Sequence, residues 1–228
     1  MQEVILVAFV PYLLILAGFG LATTGRLHPM AGWALCALGV LSGVGVAATI
    51  ALAGPWQLGA FAVAALPAAI ALPMVARDLR HPRINDVTTD MENPLAFEAA
   101  LRAPANQGRD MAFSTRIGAI GRRAYPDVRP LLLHLPAERA FERVEQAART
   151  QRGWKVSHCD AERRRLEAEV TTPFFRFVDD VVLAVSSQGD QARVDMRSKS
   201  RDGLVDAGVN AQRIVAFLEG LSSPSSPR

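Results

Sequence analysis

Only two charged side chains, Glu3 and Arg26, occur in the first 76 residues, and nothing else in the chain restricts its folding so strongly. Val4 to Gly25 is a 22-residue stretch without charge, and Leu27 to Ala76 adds fifty more. One crossing of a bilayer takes about 20 apolar residues, so the first stretch accommodates one span and the second two. The natural break in the second is Ala53-Gly54-Pro55-Trp56. Helices are therefore predicted over 4–23, 31–53 and 56–76, filling an N-terminal segment 1–76. Met1-Gln2-Glu3 lacks the basic start of a cleaved signal peptide, so the first span is expected to be retained. Trp33 and Trp56 fall at span ends, where indole rings favour the membrane interface. Pro11, Pro67 and Pro73 predict kinks.

These spans carry no Asp, Glu, Lys or Arg of the kind that ion paths use, which points to an anchor or assembly module rather than transport. Gly39 and Gly43 are spaced for close helix approach, either inside one bundle or onto a partner's span.

Residues 77–228 differ in kind. They hold 24 of the 25 Lys+Arg and 21 of the 22 Asp+Glu, a balance of +3 that is too small and too mixed to suggest nucleic acid as a partner. Cys36 and Cys159 lie in different segments, and neither a CxxC nor a His/Cys cluster of zinc spacing occurs. No metal site and no cofactor are expected.

The pattern in this part predicts an α+β domain over 77–220. The opening run to Gly108 is rich in turn formers and reads as an irregular docking linker, and 98–120 fits loop or helix. "YPDVRPLLLHL" reads as an entry loop and a short extended piece. Ala137, Ala140, Phe141, Val144, Ala147 and Ala148 recur at helical spacing, and Gly153 closes that helix. "WKVSHC", "RLEAEVTTPFFRFVDD", "VVLAVS" and "ARVDMRS" read as about four antiparallel strands, with turns at Asp160-Ala-Glu and Ser187–Asp190. A last helix turns Val209, Ile214, Phe217 and Leu218 inward, and 221–228 has a disordered composition. The expected architecture is a three-helix transmembrane anchor followed by an antiparallel sheet flanked by two helices.

Charge concentrates in "RVDMRSKSRDGLVDAGVNAQRI" at 193–214. In a strand, Arg193, Asp195, Arg197, Lys199 and Arg201 share one face. Arg197 and Arg201 could each offer a bidentate fork to phosphate or carboxylate, making this face an anion site. Alternatively it is a solvated face neutralised by Asp195, Asp179 and Asp180. Further on, Asp206 or Asn210 can cap the final helix, and Arg213 would reach back to Asp206 or Asp202. "NDVTTD" at 85–90 lacks calcium-loop spacing and reads as a turn satisfying its own backbone. Asp179 and Asp180 are adjacent and point to opposite sheet faces, so they do not share a substrate atom. His134, His158, Ser198 and Ser200 form no catalytic pattern, and Phe174, Phe175 and Phe177 read as a core strand or a lipid-facing wall.

One ordered series stands out: "INDVTTD" with Pro94 and Phe97, Tyr125-Pro126, Gly153-Trp154, "EAEVTTPFFRFVDDVV" and "VDMRSKSRDGLVDAGVNAQRI". Over roughly 82–220 it resembles the bacterial and plastid domain-of-unknown-function family numbered 1499, with Ala184 standing where the family usually has an arginine. The resemblance implies an envelope protein whose domain faces the periplasm. Arg26, Arg77, Arg80 and Arg83 instead lie on the side of the polar domain and favour the cytoplasm by the positive-inside rule. Large domains cross largely regardless of charge, and the periplasm is the side expected.

The expected function is non-enzymatic binding by a multi-pass protein of the bacterial inner membrane. Its partners would be membrane lipids, an anionic ligand or another envelope protein. The expected site is Arg197, Arg201, Lys199, Asp195, Asp180, Arg213 and Asn210. The alternatives are a metal-assisted hydrolase or lipid-modifying enzyme built on Asp179, Asp180 or "NDVTTD", and an assembly factor using Gly39 and Gly43.

Overall fold

A computed structural model describes residues 6–53 and 58–222. The predicted span break with Trp56, the Met1–Glu3 start and the tail beyond Ser222 lie outside the described residues. The chain divides into two compact units, one of Met1–Arg80 with Pro173–Arg176, the other of His81–Thr172 with Phe177–Arg228.

The first unit holds helices α1 (Val10–Thr23), α2 (Pro29–Ala53) and α3 (Leu58–Asp78). The apolar spans Leu6–Thr23, Pro29–Ala53 and Leu58–Asp78 are each long enough to cross a membrane. Large apolar side chains such as Leu13, Leu41 and Leu72 stay exposed, so cohesion rests on close backbone approach instead. A Cβ on Gly39 would meet the Pro11 carbonyl oxygen of α1 at 2.7 Å, and one on Gly43 would meet the Ala64 carbonyl oxygen of α3 at 2.7 Å. The Gly39/Gly43 pair is thus used within the bundle, joining α2 to both neighbours. Pro11 sits in the first turn of α1, where its missing N–H costs nothing. Pro67 and Pro73 lie inside α3.

The second unit is built on one antiparallel sheet. Its elements in chain order are β1 (Asp86–Thr88), α4 (Ala99–Arg102), a 3-10 turn (Pro104–Asn106), α5 (Thr115–Ala124), β2 (Leu131–Leu133), α6 (Ala137–Thr150), β3 (Trp154–Asp160), β4 (Arg165–Thr171), β5 (Val178–Gln188), β6 (Gln191–Ser200) and α7 (Val209–Ser222). The strands run β1-β6-β5-β4-β3, with β2 also paired to β6. β1 takes 197–199 of that edge and β2 takes 192–194, so two short strands end to end close one side of β6.

Six strands replace the expected four or so, for two reasons. The opening run is not wholly irregular, since Asp86–Thr88 pairs with β6, and the extended piece before α6 becomes β2. The long run at 165–180 is also not one strand. Phe174 (φ 67°) and Arg176 (φ 61°) occupy the left-handed region, which turns the chain between Thr171 and Val178. Asp179 and Asp180 therefore join the following hydrophobic run in β5.

One sheet face is closed by α6 and α7. Ala140, Phe141, Val144 and Ala148 of α6, and Ile214, Phe217 and Leu218 of α7, bury against Leu166, Val181, Leu183, Val194 and Met196. Trp154 stacks on Phe217 with ring centroids 4.8 Å apart. Val209, expected to point inward, is exposed because it occupies the first position of α7. Gly153 follows α6 at φ 83°, and a Cβ there would strike the Thr171 carbonyl oxygen at 2.8 Å.

Candidate functional site

The opposite face carries the charges of β6, and it is covered rather than solvated. The segment from Asp90 to Phe113 lies over it, burying Phe97, Ala100 and Met111 against Val182. Register explains how the charges meet. Asp86, Lys199, Asp180, Glu169 and Lys155 form one row across five strands, since each is the cross-strand partner of the next. Thr88, Arg197, Val182, Glu167 and His158 form the adjacent row. Lys199 thus lies between Asp86 and Asp180, opposite charges that stabilise one another, whereas Asp180 and Glu169 are like charges side by side that Arg201 bridges.

Arg197 is the centre of this face and is 1% exposed. Its Nε and Nη2 donate to the two oxygens of Asp86 at 2.9 and 2.7 Å, a bidentate pair. Nη1 donates to the Leu95 carbonyl and Nη2 to the Met111 carbonyl, at 2.8 and 2.9 Å. The guanidinium lies 4.7 Å from the Phe97 ring centroid and 5.2 Å from that of Phe113. The cover segment therefore supplies both carbonyls and both rings, and Arg197 is enclosed with its donors engaged. Lys199 Nζ donates to the same Asp86 carboxylate at 2.9 Å.

Arg201 holds Asp180 through Nε and Nη2, and Nη2 also reaches Glu169 at 2.6 Å. These two carboxylates raise the Arg201 pKa still further, so it stays charged. Arg193 bonds Asp195 and Asp90, with Asp195 the main cause of its raised pKa. Thr89 donates to Asp195 at 2.9 Å and accepts the Met196 N–H. Glu167, 1% exposed, accepts the backbone N–H groups of Glu98 and Ala100 at 2.7 and 2.9 Å, pinning the cover segment to β4.

On the helix side lies a second, smaller polar knot. Asn210, fully buried, accepts from Ser198 Oγ at 2.6 Å and donates to Ser200 Oγ at 2.9 Å. Arg213, expected to reach back to Asp206 or Asp202, donates to Asp179, Ser198 and Asn210, because one helical turn aims it at β5 and β6. Burial raises the Asp179 pKa despite the opposing pull of Arg213. Asp206 caps α7 by accepting the N–H groups of Gly208 and Asn210 at 2.9 and 3.1 Å. Asp179 and Asp180 thus face opposite sides, each with its own arginine.

The seven expected residues divide accordingly. Arg197, Arg201, Lys199, Asp195 and Asp180 share the covered face, whereas Arg213 and Asn210 belong to the knot under α7. The contribution of "NDVTTD" is distributed: Asp86 pairs with Arg197 and Lys199, and Asp90 accepts the N–H groups of Glu92 and Asn93 in a turn. Among the described residues no three His, Cys, Asp or Glu side chains converge as metal ligands.

Two residues that sequence reasoning left in an ambiguous stretch complete the face. Asn106 Nδ2 donates to Asp180 at 2.8 Å and to the Ala100 carbonyl at 2.9 Å, yet its buried Oδ1 has no hydrogen-bond partner among the described residues. Arg109 Nη2 donates to the Ser200 carbonyl at 2.8 Å, and its buried Nε likewise lacks one. Both groups therefore gather where β6 ends, beside Lys199 and Arg201. Nothing in a one-dimensional pattern marks them, since Asn106 lies 74 residues from the carboxylate it holds and Arg109 lies 91 from its carbonyl.

No curated protein matches this chain. A family model does match residues 86–221, which begin at β1 and end within α7, covering the whole sheet, its cover segment and both core helices. On that match the chain belongs to the family described as "Protein of unknown function (DUF1499)".

Proposed function

We propose that this is a multi-pass protein of the bacterial inner membrane whose sheet domain faces the periplasm and binds an anionic group without transforming it. The supporting observation is the end of the covered face: Arg109, bonded to the Ser200 carbonyl at the close of β6, carries a buried Nε donor without a partner among the described residues. Buried polar groups without partners are rare and costly, and a phosphate or carboxylate oxygen satisfies such a donor. Arg197, sealed between two rings, sets the position of the cover segment, and Arg109 on that segment takes the ligand. Three apolar spans in the same chain support the membrane assignment.

The test uses full-length protein in neutral detergent, titrated with short-chain phosphatidylglycerol and separately with glycerol phosphate. A ligand at about 100 times its Kd stabilises the folded state by about 2.7 kcal/mol, which a thermal melt resolves. Wild type is expected to gain stability and Arg109→Ala to gain none, while Arg149→Ala, on the exposed side of α6, responds as wild type does. A wild-type melt unmoved by either compound contradicts the reading. The periplasmic side is tested by reporter fusions after Arg228, where an enzyme active only outside the cytoplasm should function.

A further inference from the structure

The Pro173–Arg176 segment, which links β4 to β5 in sequence, clusters with the helical unit. Within that unit the Phe19 ring of α1 lies 5.7 Å from the Phe174 ring and 6.1 Å from the Phe175 ring, centroid to centroid. Phe19 belongs to the span Leu6–Thr23 and precedes its end by four residues. At 1.5 Å of rise per residue, that places Phe19 about 6 Å inside the end of the span. A ring in contact with it lies at a similar depth.

Phe174 is nonetheless 63% exposed. It is held in that position by backbone in the left-handed region at both 174 and 176, which a non-glycine residue adopts only at a cost. The polar end of the same segment lies elsewhere. Arg176 Nε would be 3.6 Å from a Cβ on Gly25, in the turn between α1 and α2, and Arg26 is the next residue of that turn. Both arginines are exposed. The segment therefore has an apolar tip at the depth of the span and a cationic end at the level of the turn. This is the distribution of an interfacial anchor, whose ring enters hydrocarbon while its cation stays among head groups.

From these positions we infer that Pro173–Arg176 is a lipid-inserting loop: the bilayer's acyl chains cover Phe174, and lipid phosphates lie against Arg26 and Arg176. The occupant is lipid of the membrane that the chain itself spans.

Nitroxide collision measurements on full-length protein test this in vesicles of phosphatidylcholine and phosphatidylglycerol. In a Cys36→Ser/Cys159→Ser background, a label at Phe174→Cys is compared with labels at Leu16→Cys, exposed on α1, and Asp190→Cys, exposed in the β5–β6 turn. The oxygen-to-nickel-complex collision ratio at 174 is expected to match that at 16 and exceed that at 190. A ratio at 174 equal to that at 190 overturns the inference. Because the label replaces the ring in question, the unmodified chain provides a second test. A doxyl-labelled lipid should broaden the Phe174 amide resonance and leave that of Gly189 sharp, and equal sharpness of the two overturns the inference as well.

Discussion

The two faces of the sheet bury comparable strands by opposite means. Toward α6 and α7, β6 presents Ala192, Val194 and Met196 and the packing is aliphatic, with one polar knot at its end. Toward the cover segment, the alternate residues of the same strand are Arg193, Asp195, Arg197 and Lys199, and the packing is ionic. An alternating strand normally signals one wet face, because unpaired charge is too costly to bury. Here each cation finds a carboxylate, Lys199 in register with Asp86 and Asp180, Arg197 diagonally with Asp86, and Arg193 with Asp195 and Asp90, and the cover segment supplies carbonyls and rings for what remains. Alternation tells which residues share a face and says nothing of whether that face is wet.

The largest effect that could break this contrast is expected from Asp86→Ala. It leaves Arg197 and Lys199 without their shared partner in a dry site, and breaking a buried pair costs about 3–5 kcal/mol. If the face were instead solvated, the same change would cost well under about 1 kcal/mol. Leu183→Ala probes the aliphatic side for comparison. It empties a fully buried position, and a loss of about 3 kcal/mol is expected in the same thermal or denaturant melt.

A pH series sharpens the contrast at the knot. Burial holds the Asp179 pKa above its ordinary value, so the folded chain binds that proton more tightly than the unfolded chain. Its contribution to stability is fully present below the ordinary carboxylate range and is lost as pH rises through the raised value. Asp179→Asn cannot titrate, so relative to the variant the wild type should lose melting temperature as pH climbs through that window. A constant difference between the two would contradict a raised pKa. The smallest effect is expected from Arg193→Ala. Its side chain is 29% exposed at the edge of the charged face, and a loss of about 0.2–1 kcal/mol should follow.

How much of this was legible in the sequence depends on the distance over which each signal acts. The three apolar runs, the helical spacing of Ala140, Val144 and Ala148, and the opposed directions of Asp179 and Asp180 are local regularities, and the structure carries them through. The pairing of Asp86 with Arg197 spans 111 residues and depends on β1 joining β6, which no local pattern announces in a three-residue strand. The turn at Phe174 and Arg176 was hidden for a different reason. Aromatic residues favour strands, and only tertiary context holds these two at positive φ. The cover segment lacks periodicity altogether, so Asn106 and Arg109 could not be tied to the charged face before the fold was known.

The central claim is that the charge of β6 is sealed and neutralises itself, and a double-mutant cycle on Asp86 and Arg197 tests it most directly. Asp86→Ala alone leaves a buried guanidinium unpaired, whereas adding Arg197→Met removes that charge and keeps apolar volume between Phe97 and Phe113. The double variant should therefore melt at a higher temperature than Asp86→Ala alone, with a coupling energy above about 2 kcal/mol. Costs that simply add to within about 0.5 kcal/mol, leaving the double variant the least stable of the set, would contradict the account.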